Sequence, residues 1–363
     1  MKQKTENYFI DFLRFIFSMC ILFYHSWVFS GAYGNGILNH AYLAVDFYFI
    51  VTGYLMINSI YNYKKKKMLI LEESFDFVYR KIKKLFPSLV AAFLVGVVFV
   101  YGKSIFFDLE IWLSNKLLPE LFQLGIFGYE LSVNSSWWYI SAMIFVLALI
   151  YPVATKYKEY YCKYIAPLII VFALGIVSAC KININDPNTI SFFFRNGFYK
   201  ALIFIPLGNI SYIIANKFKD KKFKKNEIII LSILEIIVYM ILILNMHYLF
   251  MGNFVFAVLL MLNISLTFSG VTFATRMFKN KIWKKFGEYG FYVFLCNISI
   301  RTYMMRVYMN SGLSYRQLLP KFLILSCLTA LFIYILVELI YKKIIINKIM
   351  VLKNKKAELI IKD

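Results

Sequence analysis

The sequence predicts an all-α fold: a polytopic transmembrane helix bundle of about ten helices, with N- and C-termini cytoplasmic. Three observations carry that expectation. Of 363 residues, 61% are hydrophobic and 19% aromatic, which is too apolar for a soluble domain of this length. The charged residues, 17% of the chain, gather in short runs between apolar blocks of about 20 residues, the length that crosses a bilayer. Lysine and arginine crowd every second loop and nearly vanish from the loops between, and basic loops stay on the cytoplasmic side. No stretch is left for a separate soluble domain, so residues 1–363 read as a single integral domain, multi-pass in a cell membrane. The Lys-, Ile- and Asn-rich usage points to a bacterial plasma membrane. A net charge of +22 would suggest a nucleic-acid partner in a soluble protein. Here no aromatic and basic residues interleave to make such a surface, and the basic loops meet anionic membrane lipid instead.

The expected spans are 8–29, 41–61, 85–102, 137–155, 165–181, 198–216, 227–248, 252–273, 286–307 and 320–341. The first is too long, and too charged at Asp11 and Arg14, for a cleavable signal peptide. A loop without Lys or Arg, Ser30 to His40, joins it to the second, which carries Asp46. The second loop is basic from Lys64 to Lys67 and again from Arg80 to Lys84. Between these runs, Met68 to Lys84 mixes Leu, Phe and Tyr with charges, the pattern of an interfacial amphipathic helix ending at Pro87. The third loop, Tyr101 to Ser136, has only Lys103 and Lys116. Its apolar stretch Leu117–Phe127 is too short to cross, so it re-enters or lies on the surface. Trp137, Trp138 and Tyr139 open the fourth span, either as an interfacial aromatic belt or as a face for stacking on a sugar. Basic runs return at Lys156–Lys163, Lys217–Lys225, Arg276–Lys285 and after Lys342, alternating with nearly neutral connections. Cys20, Cys162, Cys180, Cys296 and Cys327 show no CxxC spacing and read as small apolar residues; there is no metal-ligand cluster. No repeat or heptad pattern is present.

The first span holds the chemistry. Ionisable residues at bilayer depth face a protein interior or a watery cavity. At about 100° per residue, Asp11, Arg14 and His25 share one stripe, with about 16 Å of rise from Arg14 to His25. Asp46 enters the second span at a depth similar to His25. A His25–Asp46 pair would orient the imidazole as a general base, or would lock two helices together. Arg14 either snorkels, paired with Asp11, or joins Arg80, Lys81 and Lys84 in a cationic funnel suited to phosphates. His40 and His247 lie near the outer side without a carboxylate in sequence; Glu235 and Glu338 are intramembrane carboxylates open to proton or helix-pairing roles. Arg195, Arg301 and Arg306 contact either an anionic acceptor or headgroups.

Several motifs carry a resemblance. Asp11-Phe12-Leu13-Arg14 followed by His25 resembles the opening of the acyltransferase-3 family of integral membrane acyltransferases. The run Ala44–Leu55, with its Asp46 and Thr52-Gly53, resembles that family's second-helix signature. Arg80–Pro87 resembles its basic stretch ending in Pro, Trp138–Met143 its Trp-opened middle helix, and Phe286–Leu295 its penultimate-helix motif. The ordered set covers nearly the whole chain. The resemblance implies transfer of an acyl group, usually acetyl, from cytoplasmic acetyl-CoA to a hydroxyl of a cell-envelope polysaccharide or glycolipid. It matches His25 to the family's essential histidine, and Arg14, Arg80, Lys81 and Lys84 to its acyl-CoA-binding residues. Asp46 would then orient His25, Asp11 would hold Arg14, and Trp138, Tyr139, Asn297 and Arg301 would meet the acceptor. Two positions depart from the pattern. Lysines stand at 81 and 84 where an Arg-x-x-Arg unit is usual, and Asn297 stands where many members have a second histidine. A transporter or flippase of a glycan or lipid-linked intermediate is the alternative that many spans and buried charges also fit.

Overall fold

The computed structural model describes residues 7–31, 36–62, 69–102, 117–308 and 310–344. The lysine run 64–67, Lys103, Lys116 and the basic tail beyond residue 344 lie outside them. Ten main helices occupy the ten expected spans: α1 Tyr8–His25, α2 Ala44–Asn62, α3 Ile70–Tyr101, α4 Trp138–Lys156, α5 Ala166–Ala179, α6 Asn196–Asp220, α7 Lys225–Tyr248, α8 Asn253–Ser269, α9 Ile282–Tyr308 and α10 Tyr315–Tyr334. Among the described residues, eight helical segments are long and apolar enough to cross a membrane. Of the other two, α8 is short, and α9 carries Lys284, Lys285, Glu288, Arg301 and Arg306. A π-helical run, Ile335–Tyr341, continues α10 and contains Glu338. The chain is a multi-pass helical membrane protein. Among the described residues, one small sheet is a hairpin, β1 Ile190–Ser191 with β2 Phe194–Arg195, antiparallel with Ile190 opposite Arg195.

Two close helix pairs form the centre. In a bilayer, apolar surface alone does not drive helices together, so small residues that let backbones approach set the contacts. Helices α1 and α9 run parallel, with Gly287 against the Asp11 backbone and Gly290 against Phe15 and Ser18. Helices α2 and α6 also run parallel and touch through Gly53 and Gly208. A Cβ on Gly53 would sit 1.9 Å from the Ile205 carbonyl oxygen, and one on Gly208 1.9 Å from that of Ile50. Asn209 reinforces the crossing by donating to the Gly53 carbonyl at 2.8 Å. Helices α1 and α2 are antiparallel. Phe17 stacks on Phe47, Ser18 bonds Tyr48 at 2.6 Å, and Tyr24 meets Tyr42 edge-on.

The segment expected as a separate interfacial helix is instead the first half of α3, which runs unbroken through Pro87 over 32 residues. That length is about 48 Å, well beyond the ~30 Å hydrocarbon core, so its first turns project past the basic end of the bundle. Glu72 caps the start by accepting from the Leu69 N–H at 3.3 Å.

The third loop turns back into the protein. After a short helix, Leu117–Leu121, and a 3₁₀ turn, Leu124–Phe127, it reaches the middle of α9. Asn134 Nδ2 and the Trp137 indole N–H both donate to the Leu295 carbonyl, at 2.5 and 3.1 Å, and Ser299 donates to the Val133 carbonyl at 3.0 Å. Glu120 is fully buried and accepts the backbone N–H groups of Val133 (2.8 Å) and Asn134 (2.6 Å). Backbone off the helical path is tolerated at such depth only where protein satisfies it. Glu120 does so from within, and Arg195 from the hairpin, donating to the carbonyls of Gly125, Gly128, Tyr129 and Asn188. Trp137, Trp138 and Tyr139 are consequently buried, with neither the belt nor the open sugar-facing surface that their sequence position suggested.

Candidate functional site

Polar side chains gather at two poles along α1. At the basic end, Arg14 is ion-paired to Asp11, one turn below it, at 2.7 Å. Lys81 of α3 lies within electrostatic reach of Arg14, the charge that acts most strongly on it, followed by Lys84. Lys84 also acts on Glu288 of α9. Arg80 faces elsewhere and pairs along its own helix with Asp76 at 2.5 Å. One step along a helix is about 100°, so neighbours in sequence cannot all face the same partner. Of the four expected cations, Arg14, Lys81 and Lys84 are gathered and Arg80 stands aside. Nearby, Tyr292 bonds both Ser88 (2.9 Å) and Glu338 (2.8 Å), and Lys342 closes on Glu338. The latter carboxylate thus ties α3, α9 and the end of α10.

A buried seam leads away from this pole. Tyr48 donates to the Arg14 carbonyl at 2.5 Å, and its ring meets Tyr139 at 6.1 Å. Tyr139 in turn meets Phe294 at 5.7 Å, near Asn297. Asn297 is buried and donates to the Val293 and Phe294 carbonyls of its own helix; its Oδ1 has no partner. Trp138 is occupied in packing: it covers Gly197 and lies 6.0 Å from Phe49.

At the far pole, the parallel register that sets Gly287 beside Asp11 brings Arg301 beside His25, fourteen residues further along both helices. Arg301 is the charge that acts on the His25 ring. His25 Nδ1 and Arg301 Nε are both buried and both unpartnered. The imidazole therefore faces the protein interior, between α1 and α9, with Tyr24 at 5.0 Å.

Asp46 does not orient that ring. Its carboxylate is 2.9 Å from Lys200 of α6, the two side chains being 1% and 2% exposed, and it makes no hydrogen bond to His25. The cause is register. The contacts of Tyr24 with Tyr42 and of Phe17 with Phe47 put Asp46 level with about residue 19, roughly 9 Å below His25. Equal counting from a short loop overlooked the 3₁₀ turns Ser26–Ser30 and Ala41–Leu43, which lengthen the top of the hairpin. Lys200 also lies over the rings of Tyr42 and Phe204. Sequence reasoning missed it, although a lone lysine inside an apolar span is itself a signal, because a buried ammonium needs an anion.

The remaining candidates have structural partners. Arg306 donates to the Phe99 and Val100 carbonyls, joining α9 to α3. Glu235 accepts from Thr267 at 2.5 Å inside an α7–α8 network that includes Tyr239 and Asn263. His40 and His247 are neighbours: the Leu38 N–H approaches His247 Nδ1 at 3.4 Å, and the His40 N–H bonds the Met246 carbonyl at 2.9 Å. Partial burial, and then His247, hold the His40 imidazole below its usual pKa. Among the described residues, no three His, Cys, Asp or Glu side chains gather as metal ligands.

The acyltransferase-3 family model, described as an acyltransferase domain, matches residues 7–338, from the N-cap of α1 through Glu338. No curated protein and no solved structure matches the chain.

Proposed function

The chain belongs to the acyltransferase-3 family, and from that premise we propose that it is an O-acetyltransferase of a bacterial cell membrane. In this reading it moves an acetyl group from cytoplasmic acetyl-CoA to a hydroxyl of an envelope polysaccharide or glycolipid. Family membership favours group transfer over the transport of a glycan intermediate. The phosphates of the donor rest near Arg14, Lys81 and Lys84, where cations gather at the basic end. Its pantetheine arm follows the seam past Tyr48 and Tyr139, and the ~16 Å rise from Arg14 to His25 suits an extended arm. His25 takes the proton of the acceptor hydroxyl as that oxygen attacks the thioester carbon, and returns it to the departing thiolate.

The observation that carries this reading is the inward-facing imidazole with an unpartnered buried nitrogen, on the same helix as the cation at the basic end. An imidazole serving only structure would have its nitrogens bonded at such depth. Membranes containing the protein should move radiolabel from acetyl-CoA into envelope glycan. His25→Ala should lower that rate by about 10²–10⁴-fold while the protein still inserts. Full transfer by the Ala variant would end the assignment.

A further inference from the structure

We propose that Arg301 is a catalytic residue that holds the carbonyl oxygen of the thioester as it becomes an oxyanion. This inference rests on the reading of His25 as the base. Three observations support it. The α1–α9 register and the charge acting on the ring put Arg301 at His25 and at no other candidate base. Its Nε is buried without a partner, and among the described residues no carboxylate is ion-paired with it. Of the other arginines near this end, Arg195 and Arg306 are spent on backbone carbonyls, and Arg316, at the start of α10, is exposed. A buried guanidinium Nε–H without an acceptor, beside a buried ring nitrogen without a partner, is matched by a ligand that arrives with the substrate.

Charge decides what that ligand is. When the acceptor O–H adds to the thioester carbon, a C–O bond forms, the C=O π pair moves onto the carbonyl oxygen, and the proton passes to the imidazole. An imidazolium beside a guanidinium is repulsive unless a negative charge lies between them, and the oxyanion is that charge. The intermediate then collapses: the carbonyl reforms, the C–S bond breaks, and the departing thiolate takes the proton from the imidazolium of His25, leaving the base neutral. The Arg301 Nε–H thus gains a charged acceptor only in the tetrahedral state, which is the differential binding that raises kcat without tightening the ground state. An arginine fits because its charge is permanent and its donors form a planar fork.

The test uses the full-length protein in detergent or nanodiscs, with coenzyme A and its trifluoromethyl-ketone thioether, whose hydrated carbonyl imitates the tetrahedral state. Arg301→Ala should bind coenzyme A within about threefold of wild type but lose about 10²–10³-fold in affinity for the ketone, the range seen when one oxyanion donor is removed. Added guanidinium should restore part of the lost turnover, which repair of a packing defect would not do. Arg301→Lys should be intermediate. If Arg301→Ala binds the ketone as wild type does, or loses coenzyme A and ketone equally, the inference is overturned. In that event a dead His25→Ala leaves the base assignment standing. If wild type binds neither probe, the donor site and this inference fail together.

Discussion

Neutralising one side of the Asp46–Lys200 pair should unfold much of what neutralising both would spare. The two groups are 2.9 Å apart and almost wholly excluded from solvent. At an effective dielectric of about 20, unit charges at that separation attract by roughly 6 kcal/mol, against a desolvation penalty of several kcal/mol per ion. The intact pair is therefore close to neutral. Asp46→Asn or Lys200→Met leaves a lone charge in the α2–α6 interface, a loss of about 3–5 kcal/mol. The double variant removes both charges and should recover most of that loss. Thermal unfolding in detergent supplies the coupling, and acetyl transfer per folded molecule supplies the consequence for chemistry. The double variant should keep turnover within a few-fold of wild type, because the pair holds helices and not the imidazole. Single variants as stable as wild type, or a double variant with the sum of both losses, would refute the electrostatic argument. A stable double variant with the same catalytic defect as His25→Ala would instead return Asp46 to the role of orienting His25.

Three further outcomes are expected. Gly53→Ala and Gly208→Ala, each driving a Cβ to 1.9 Å from a backbone oxygen, should cost at least the 1–3 kcal/mol typical of overpacking. Gly175→Ala, whose Cβ meets nothing within 4 Å, should be neutral or stabilising; thermal unfolding of the three compares them. Glu120→Ala strands the buried N–H groups of Val133 and Asn134, about 1–3 kcal/mol each, so loop 117–137 should become the preferred site of limited proteolysis. The depressed pKa of His40 means that the unfolded chain binds its proton first. Stability should fall as pH drops below about 6.5, and the fall should be shallower in His40→Gln; because the group is only partly buried, the effect is small and greatest at low salt.

Much of this architecture was legible because membrane insertion writes itself into composition. All ten main helices were visible as blocks in the sequence, and among the described residues eight of them are long and apolar enough to cross a membrane; α8 is short and α9 charged. The limits of reading from sequence were set by rotation and register. The Arg80–Lys84 run could be placed at the right level but not divided into the lysine within electrostatic reach of Arg14 and the arginine that faces Asp76. Asp46 was found, but its partner lay 154 residues away on α6, and depth alone favoured the wrong one. The apolar stretch too short to cross was expected either to re-enter or to lie on the surface, and it turns into the protein. That it would bury Trp137 against Leu295 depended on Glu120 and Arg195, two charges whose partners are backbone groups invisible to pattern.

The most direct measurement is a structure of the protein with acetyl-CoA, or a non-cleavable thioether of it, in place. The phosphates should lie in ion-pair contact with Arg14 and Lys81, the arm in the seam beside Tyr48 and Tyr139, and the acyl carbon close to the His25 ring, with room for an acceptor oxygen at the ~3–3.5 Å of a near-attack geometry. Donor bound with its phosphates away from Arg14, or with its acyl end in a chamber that excludes His25 and Arg301, would contradict the assignment.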